Sequence, residues 1–378
     1  MTRKTILLGT TALAGAALMT LPAIAGTTQS GDNYTVELSG EFGFNVMQYD
    51  QDVSNAQGRG YKFENDDAEL YIHAGAKADN GIKYGVRIEL NTNGDDAAAT
   101  DEIWAYMSHD NWGHLELGNN DDAADRMFVN AEAVMAGKVG WDGIMFDIIN
   151  AGTGGGITDS FVSGTGDATK ITYFTPRFAG FQLGASLTPD TGVNGRTVAT
   201  DNVGNPQNVV NLGVNWEGTF GDFGILVSGT YETGDLSSTG TSGAFVPSED
   251  PDIWSVGAQV TFGAFAVAAG YADFNDTGIT KAASAAGADG GEWWDIGASY
   301  TTGPWTMSLA YLETEKGNTT GIGSTDWSVI SAGVNYAMAP GWTVSGELDF
   351  FSGDNINATV VPVNNDGHVF ILTNTFAF

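Results

Sequence analysis

The side chains able to do proton-transfer or nucleophilic chemistry are few and scattered. The only histidines are His73, His109, His114 and His368, and cysteine is absent. No serine stands in GxSxG and no histidine pair in HExxH, so neither a nucleophile elbow nor a zinc-binding helix is encoded. His109 and His114 flank a predicted turn and read as a solvated rim. Gly-Thr-Gly-Gly-Gly at 152–156 lacks the Gly-Lys-Ser/Thr of a phosphate-binding loop and reads as loop glycine. Asp121-Asp122 with Asp125, and Glu249-Asp250 with Asp252, could offer oxygens to Ca²⁺, but solvated acidic loops are the commoner outcome of such runs. No enzyme and no obligatory cofactor is expected.

The charged residues instead follow a spacing that belongs to strands. Tyr34, Val36, Leu38, Gly40, Phe42, Phe44 and Val46 alternate with Thr35, Glu37, Ser39, Glu41, Gly43 and Asn45. Further on, Ile82, Tyr84, Val86, Ile88 and Leu90 interleave with Lys83, Gly85, Arg87, Glu89 and Asn91. A period of two puts the charges on one face of a strand and the apolar side chains on the other. The pattern predicts sixteen strands, near 34–48, 67–78, 82–92, 101–108, 113–119, 169–175, 180–188, 208–217, 222–232, 252–262, 264–272, 292–301, 304–313, 326–336, 341–351 and 367–378. Short connections such as Asp79-Asn80-Gly81 and Thr302-Gly303 alternate with long ones near 49–66, 120–168, 189–207, 233–251, 273–291 and 352–366. Long loops on one rim and short turns on the other are the pattern of transmembrane β-barrels.

Position along the strands decides what the apolar face meets. Trp254 and Phe262 bracket Val256, Ala258 and Val260; Trp294 and Tyr300 bracket Ile296 and Ala298; Trp342 and Phe350 bracket Val344, Gly346 and Leu348. Aromatics at both ends with aliphatics between make two interfacial girdles, as a lipid-facing surface requires. An open sheet edge in hydrocarbon would strand unpaired amides, so the last strand must close on the first. The fold class expected is therefore all-β, a sixteen-stranded antiparallel barrel.

The ends and the composition agree with export. Arg3 and Lys4, the apolar run Ile6 to Leu21 and Ala23-Ile24-Ala25 predict a signal peptide over 1–25, leaving 26–378 as the barrel. Fourteen basic against 46 acidic residues give −32, which disfavours nucleic acid as a partner and favours cations.

Facing away from lipid are the acids Glu37, Glu41, Glu89, Glu347 and Asp349 and the bases Lys77, Lys83, Arg87 and Lys170. Asp67 and Glu69 fall on the same face. A wide barrel with such a wall is expected to hold water. The longest loop, 119–168, carries Asp121, Asp122, Asp125, Asp142 and Asp147 together with Trp141, Met145, Phe146, Ile148 and Ile149. That many apolar side chains predict a loop folded into the barrel. Its acids would then face the basic sector across a constriction and impose a transverse field. The outward positions Ala68, Ala74, Ala76, Ala78, Ala105, Met107, Leu115 and Leu117 carry few aromatics, a girdle gap that suggests burial against another subunit.

His114-Leu115-Glu116-Leu117-Gly118 and the stretch KITYFTPRFAGFQLGASLTP from Lys170 to Pro189, with the terminal Phe378, resemble Gram-negative general diffusion porins, particularly alphaproteobacterial ones. The resemblance spans the whole chain beyond residue 25. It implies an outer-membrane homotrimer, an inward third loop forming an eyelet, basic residues opposite it at Lys77, Lys83 and Arg87, and Phe378 as the signal read by barrel-assembly machinery. Lipid and lipopolysaccharide would be the surrounding partners. The basic cluster here is thinner than the family's usual arginine ladder. The function implied is passive diffusion of small hydrophilic solutes with a weak cation preference. A solute-selective porin for sugars or another nutrient, or a non-conducting barrel serving as adhesin or structural protein, are the alternatives.

Overall fold

A computed structural model describes residues 27–30, 34–53, 58–92, 100–152, 160–192, 204–236, 246–317, 324–356 and 363–378. The predicted signal peptide lies outside them. Sixteen strands form the wall: β1 Tyr34–Gln51, β2 Tyr61–Lys77, β3 Lys83–Asn91, β4 Ile103–His109, β5 Gly113–Asn119, β6 Thr169–Phe174, β7 Phe181–Asp190 and β8 Gln207–Phe220. They continue as β9 Phe223–Asp235, β10 Asp252–Phe262, β11 Phe265–Asp273, β12 Glu292–Thr302, β13 Trp305–Gly317, β14 Ser324–Ala339, β15 Trp342–Asp354 and β16 Asn365–Ala377. Every neighbour is antiparallel, and β16 pairs with β1 from Gly367↔Gln51 to Ala377↔Glu41. That pairing closes the barrel. Phe378 adds two backbone hydrogen bonds of 2.9 Å to Gly40. The segment Thr27–Ser30 pairs with the start of β1.

All sixteen predicted strands are present, and one boundary moves substantially. β2 begins at Tyr61 rather than 67, because Lys62, Glu64 and Asp66 alternate with Tyr61, Phe63 and Asn65 and continue the strand. A bulge separates Glu41↔Glu69 from Gly43↔Asp66, with Asp67 at φ 42°. The extra residue shifts the faces, so Asp66 and not Asp67 stands on the lumenal face of the pairing, and Ala68 is buried rather than outward.

The outward face is as the girdles require. Trp254, Tyr271, Trp294 and Tyr311 form ring contacts with centroids 5.1–5.2 Å apart at the long-loop rim. Trp305–Tyr336 and Phe265–Tyr300 do so at the short-turn rim, at 4.4 and 4.8 Å. Beyond the long-loop girdle runs a row that physics alone would not favour. Asp273, Glu292, Glu315, Asp326 and Asp354 stand directly opposite one another on β11 to β15. Directly opposed like charges are destabilising, by roughly 0.2–1 kcal/mol per pair. Glu315→Gln is accordingly expected to raise the thermal midpoint at low ionic strength. Calorimetry should show that gain vanish in high salt, where screening shortens to about 3 Å at 1 M.

Inside the barrel the third loop lies against the wall, as its apolar content predicts. Trp141, Met145, Ile148, Ile149 and Val162 of the loop pack on Met47, Ile253, Trp293, Leu312, Trp327, Val329, Phe351, Val369 and Ile371 of the wall. Each such side chain removed from water contributes roughly 1.5–3 kcal/mol. The inward face is therefore not polar throughout: towards the long-loop rim, β10 to β16 and β1 offer an apolar bed.

Candidate functional site

The loop leaves β5 through Asn120 and Asp121 and starts a short helix, α1, Ala123–Met127. Asp122 caps it, accepting from the amides of Ala124 at 2.7 Å and Asp125 at 3.1 Å and from the hydroxyls of Ser163 and Thr165 at 2.5 Å. A buried carboxylate holding four donors ties the outgoing and returning arms of the loop together.

From there the loop backbone is fastened to successive strands. Ala123 N–H donates to Ser186 Oγ on β7 at 2.8 Å, Val129 N–H to Ser228 Oγ on β9 at 3.0 Å, and Ala131 N–H to Asp295 Oδ1 on β12 at 3.1 Å. Ala136 N–H meets Ser308 Oγ on β13 and Gly137 N–H meets Asn335 Oδ1 on β14, both at 2.8 Å. Glu347 on β15 takes the amides of Gly140 at 3.0 Å and Trp141 at 3.3 Å, Gln51 on β1 that of Asn150 at 2.7 Å, and Glu232 on β9 that of Gly164 at 3.0 Å. An irregular segment buried inside a barrel must find partners for its amides, and here the wall side chains supply them.

Contact this close needs glycine on the wall. A Cβ at Gly257 would land on the carbonyl oxygen of Val129, and one at Gly333 on that of Ala136. Gly270 and Gly297 leave room for Asn130 and Ala131 in the same way. Gly257 and Gly270 face each other directly, and Gly333 faces both Ser308 and Glu347, the residues that anchor the loop backbone.

Several predicted pore residues are thereby reassigned. Glu347 and Asp349 are 2 % and 0 % exposed and lie beneath the loop. Asp122 is a structural cap. Lys170 does face inward but is only 2 % exposed, its ammonium donating to the carbonyls of Asn120 and Gly166. All four were expected to meet pore water. Whether an inward side chain meets water or a loop depends on the path of the loop, which the period of a strand does not encode. Asp121 and Asp125 are half-buried at the loop's root. Burial there, beside Asp125, Asp167 and Asp122, pushes the Asp121 carboxyl well above the usual carboxylate range. The side chains of Asp142 and Asp147 lie outside the described residues.

The loop's polar anchors leave the lower part of β1 and β2 to β5 uncovered, and this sector bounds the passage. One row across it reads Glu37, His73, Arg87, Trp104, and the next towards the short turns Thr35, Gly75, Gly85, Tyr106, Glu116. Lys77 and Lys83 oppose each other at the short-turn end and are exposed. Arg87 does not project freely: its Nε donates to Glu89 Oε1 at 2.6 Å, and the guanidinium lies over Tyr71 and Trp104, 4.6 and 5.8 Å from the ring centres. Glu89 is itself fully buried. Glu41 accepts from the Tyr71 hydroxyl. Glu116 takes His114 at 2.7 Å and Arg126 of the loop, and Lys138 pairs with Glu132 within the loop at 2.5 Å. His114 thus points inward rather than to a solvated rim, whereas His109 lies at the turn, stacked on Trp112. Two carboxylate groups converge, Glu69–Glu89–Asp101 and Glu102–Asp121–Asp167. Arg87 pairs with Glu89 of the first, and Lys170 is the cation beside the second. Of the wall bases expected to oppose the loop acids, Arg87 is paired within the wall and Lys170 is buried against loop carbonyls, while Lys77 and Lys83 stay exposed.

A closed sixteen-strand barrel, girdled by aromatics outside and narrowed by a loop bound to its inner wall, is a membrane channel of the porin type. The chain belongs to the Gram-negative porin family, whose sequence pattern it matches over residues 9–356. Its structure is similar to that of an engineered variant of the Rh. blastica porin, with TM-score 0.60 and 17 % identity, covering 91 % of this chain and 100 % of that one. It is likewise similar to a loop-deletion form of OmpT, an outer membrane protein of Vibrio cholerae, with TM-score 0.62, 14 % identity and coverage of 92 % and 100 %. No curated protein matches the sequence. Family and fold place the protein in the outer membrane as a channel rather than an enzyme.

Proposed function

We propose that the channel passes small hydrophilic solutes and ions by diffusion, with a weak preference for cations, and works as a homotrimer from which the leader 1–25 has been removed. The observation that carries the diffusion reading is the uncovered sector of β1 to β5, polar and partly solvated, beside a loop held firmly to the opposite wall. Cation preference is supported by the acidic long-loop rim, where Asp50, Asp235, Glu315 and Asp354 are all exposed. These acids stand on the outward side of the rim, so they act through the field of the whole acidic surface, which raises the local concentration of cations. The trimer is supported by the low wall of β3 to β6, whose strands have 9, 7, 7 and 6 residues, and by the small side chains of Ala74 and Ala76 on the outward face of β2 and of Ala105 on that of β4. Phe378 would serve as the assembly signal.

Purified protein in a planar bilayer should give ohmic steps, and under a KCl gradient a reversal potential of cation-selective sign. Asp121→Asn with Asp125→Asn should move that potential towards zero. Because burial and the neighbouring acids hold the Asp121 carboxyl above the usual carboxylate range, the effect of the double substitution should grow as pH rises. Correct insertion without conductance would instead favour a closed structural barrel.

A further inference from the structure

The uncovered sector holds a group of rings to which simple diffusion gives no task. Tyr106 on β4 stands opposite Gly85 on β3, and Gly85 opposite Gly75 on β2. A Cβ at Gly75 would meet the Tyr106 hydroxyl, and one at Gly85 would meet its ring. With both side chains missing, the phenol lies flat along the wall across two neighbouring strands. Its hydroxyl is 2.8 Å from Nε2 of His73, and the two rings are inclined by only 24° with centroids 5.5 Å apart. A hydrogen bond in the imidazole plane at so small an inclination sets the rings side by side. His114 flanks Tyr106 at 5.8 Å and 21°. The result is a strip three rings long, closed at one end by Glu37, 3.6 Å from His73 Nδ1, and at the other by Glu116, 2.7 Å from His114 Nε2. All three rings are half-buried.

We propose that this strip is a binding subsite for uncharged pyranose sugars, an inference that rests on the channel reading above and names a solute class for it. A flat aromatic surface presents a negative face, which complements the C–H face of a sugar ring. Oriented polar groups around such a surface fix a ligand's position, and here the half-exposed carboxylate of Glu37, the imidazoles and the phenol hydroxyl lie around the strip, where sugar hydroxyls would project, while the buried Glu116 holds His114 in place. The exposed Lys77 and Lys83 stand one row nearer the short turns than Tyr106, and the charges flanking the rings are paired, Arg87 with Glu89 and both His114 and Arg126 with Glu116. Such pairs attract a free ion weakly while keeping donors and acceptors available, which favours a neutral solute over a charged one. The glycines at 75 and 85 are what the arrangement demands: wall packing alone would be served by any side chain that filled the space.

Maltose added to the wild-type channel in a planar bilayer should lower the ion current along a saturating curve, with a midpoint on the order of 10 mM. Polyethylene glycol of matching hydrodynamic size should give only a linear fall. Tyr106→Ala should move the maltose midpoint up by about tenfold or more, and His73→Asn carries the same comparison from the adjoining ring should the first variant not assemble. A linear response to maltose in the wild type, a saturating curve unchanged by the substitution, or saturation by benzylammonium but not by maltose would each overturn the subsite while leaving the diffusion channel intact. A barrel that inserts and passes no current would overturn both.

Discussion

Replacing Gly333 with valine should destabilise the protein by roughly 1–3 kcal/mol and lower its single-channel conductance. The wall has no space there, because the carbonyl of Ala136 occupies the volume a side chain would need. β14 cannot retreat, since Gly333 pairs with Ser308 on one side and Glu347 on the other. The loop must therefore yield, and the only direction open to it is towards the axis. Ser308 anchors the Ala136 amide at 2.8 Å and would lose that contact as the loop moves. Gly257→Val, against the carbonyl of Val129, should act in the same sense earlier in the loop. Bilayer recordings of the two variants check the direction, and an unchanged conductance would mean that the loop does not rest on these strands.

Glu347→Ala should have an effect of similar size by the opposite route. It deprives the amides of Gly140 and Trp141 of their acceptor in a buried setting, at about 1–3 kcal/mol for each stranded group. Asp349 stands beside it on β15 and is wholly buried, but it is not the acceptor of either amide. The segment from 137 to 141 should loosen, visible as faster hydrogen exchange at those amides and as added noise in the open-channel current. Glu347→Gln keeps one carbonyl oxygen and should restore part of the protection. If exchange at Gly140 and Trp141 is the same in all three proteins, the anchoring role assigned to Glu347 fails.

The wall was legible in the sequence because lipid and water sort side chains at every second residue, so that Tyr34 to Val46 or Ile82 to Asn91 declare both strand and orientation. The start of β2 was harder, since the charges of Lys62, Glu64 and Asp66 look like a loop until Tyr61, Phe63 and Asn65 are seen between them. That the third loop enters the barrel followed from its own Trp141, Met145 and Ile148. Which inward acids it would cover did not follow, because the course of an irregular segment depends on contacts with strands far along the chain. Glu37 and Glu347 look alike in an alternating pattern, yet one is half exposed and the other lies under the loop. The sequence does carry one signal of the loop's course: inward glycines at 257, 270, 297 and 333, on β10, β11, β12 and β14, mark where another backbone comes close. Gly75 and Gly85 carry the same message for the ring of Tyr106.

The central claim is that the third loop lies inside the barrel, fastened to the far wall, with the conducting path beside it. Because the chain contains no cysteine, the claim can be tested by introducing a single pair, Ala136→Cys with Ser308→Cys, and recording single-channel conductance before and after oxidation. The bridge is expected to form readily and to leave conductance as it was in the reduced channel; a pair that does not cross-link, or a bridge that changes the open-channel current, would contradict the account.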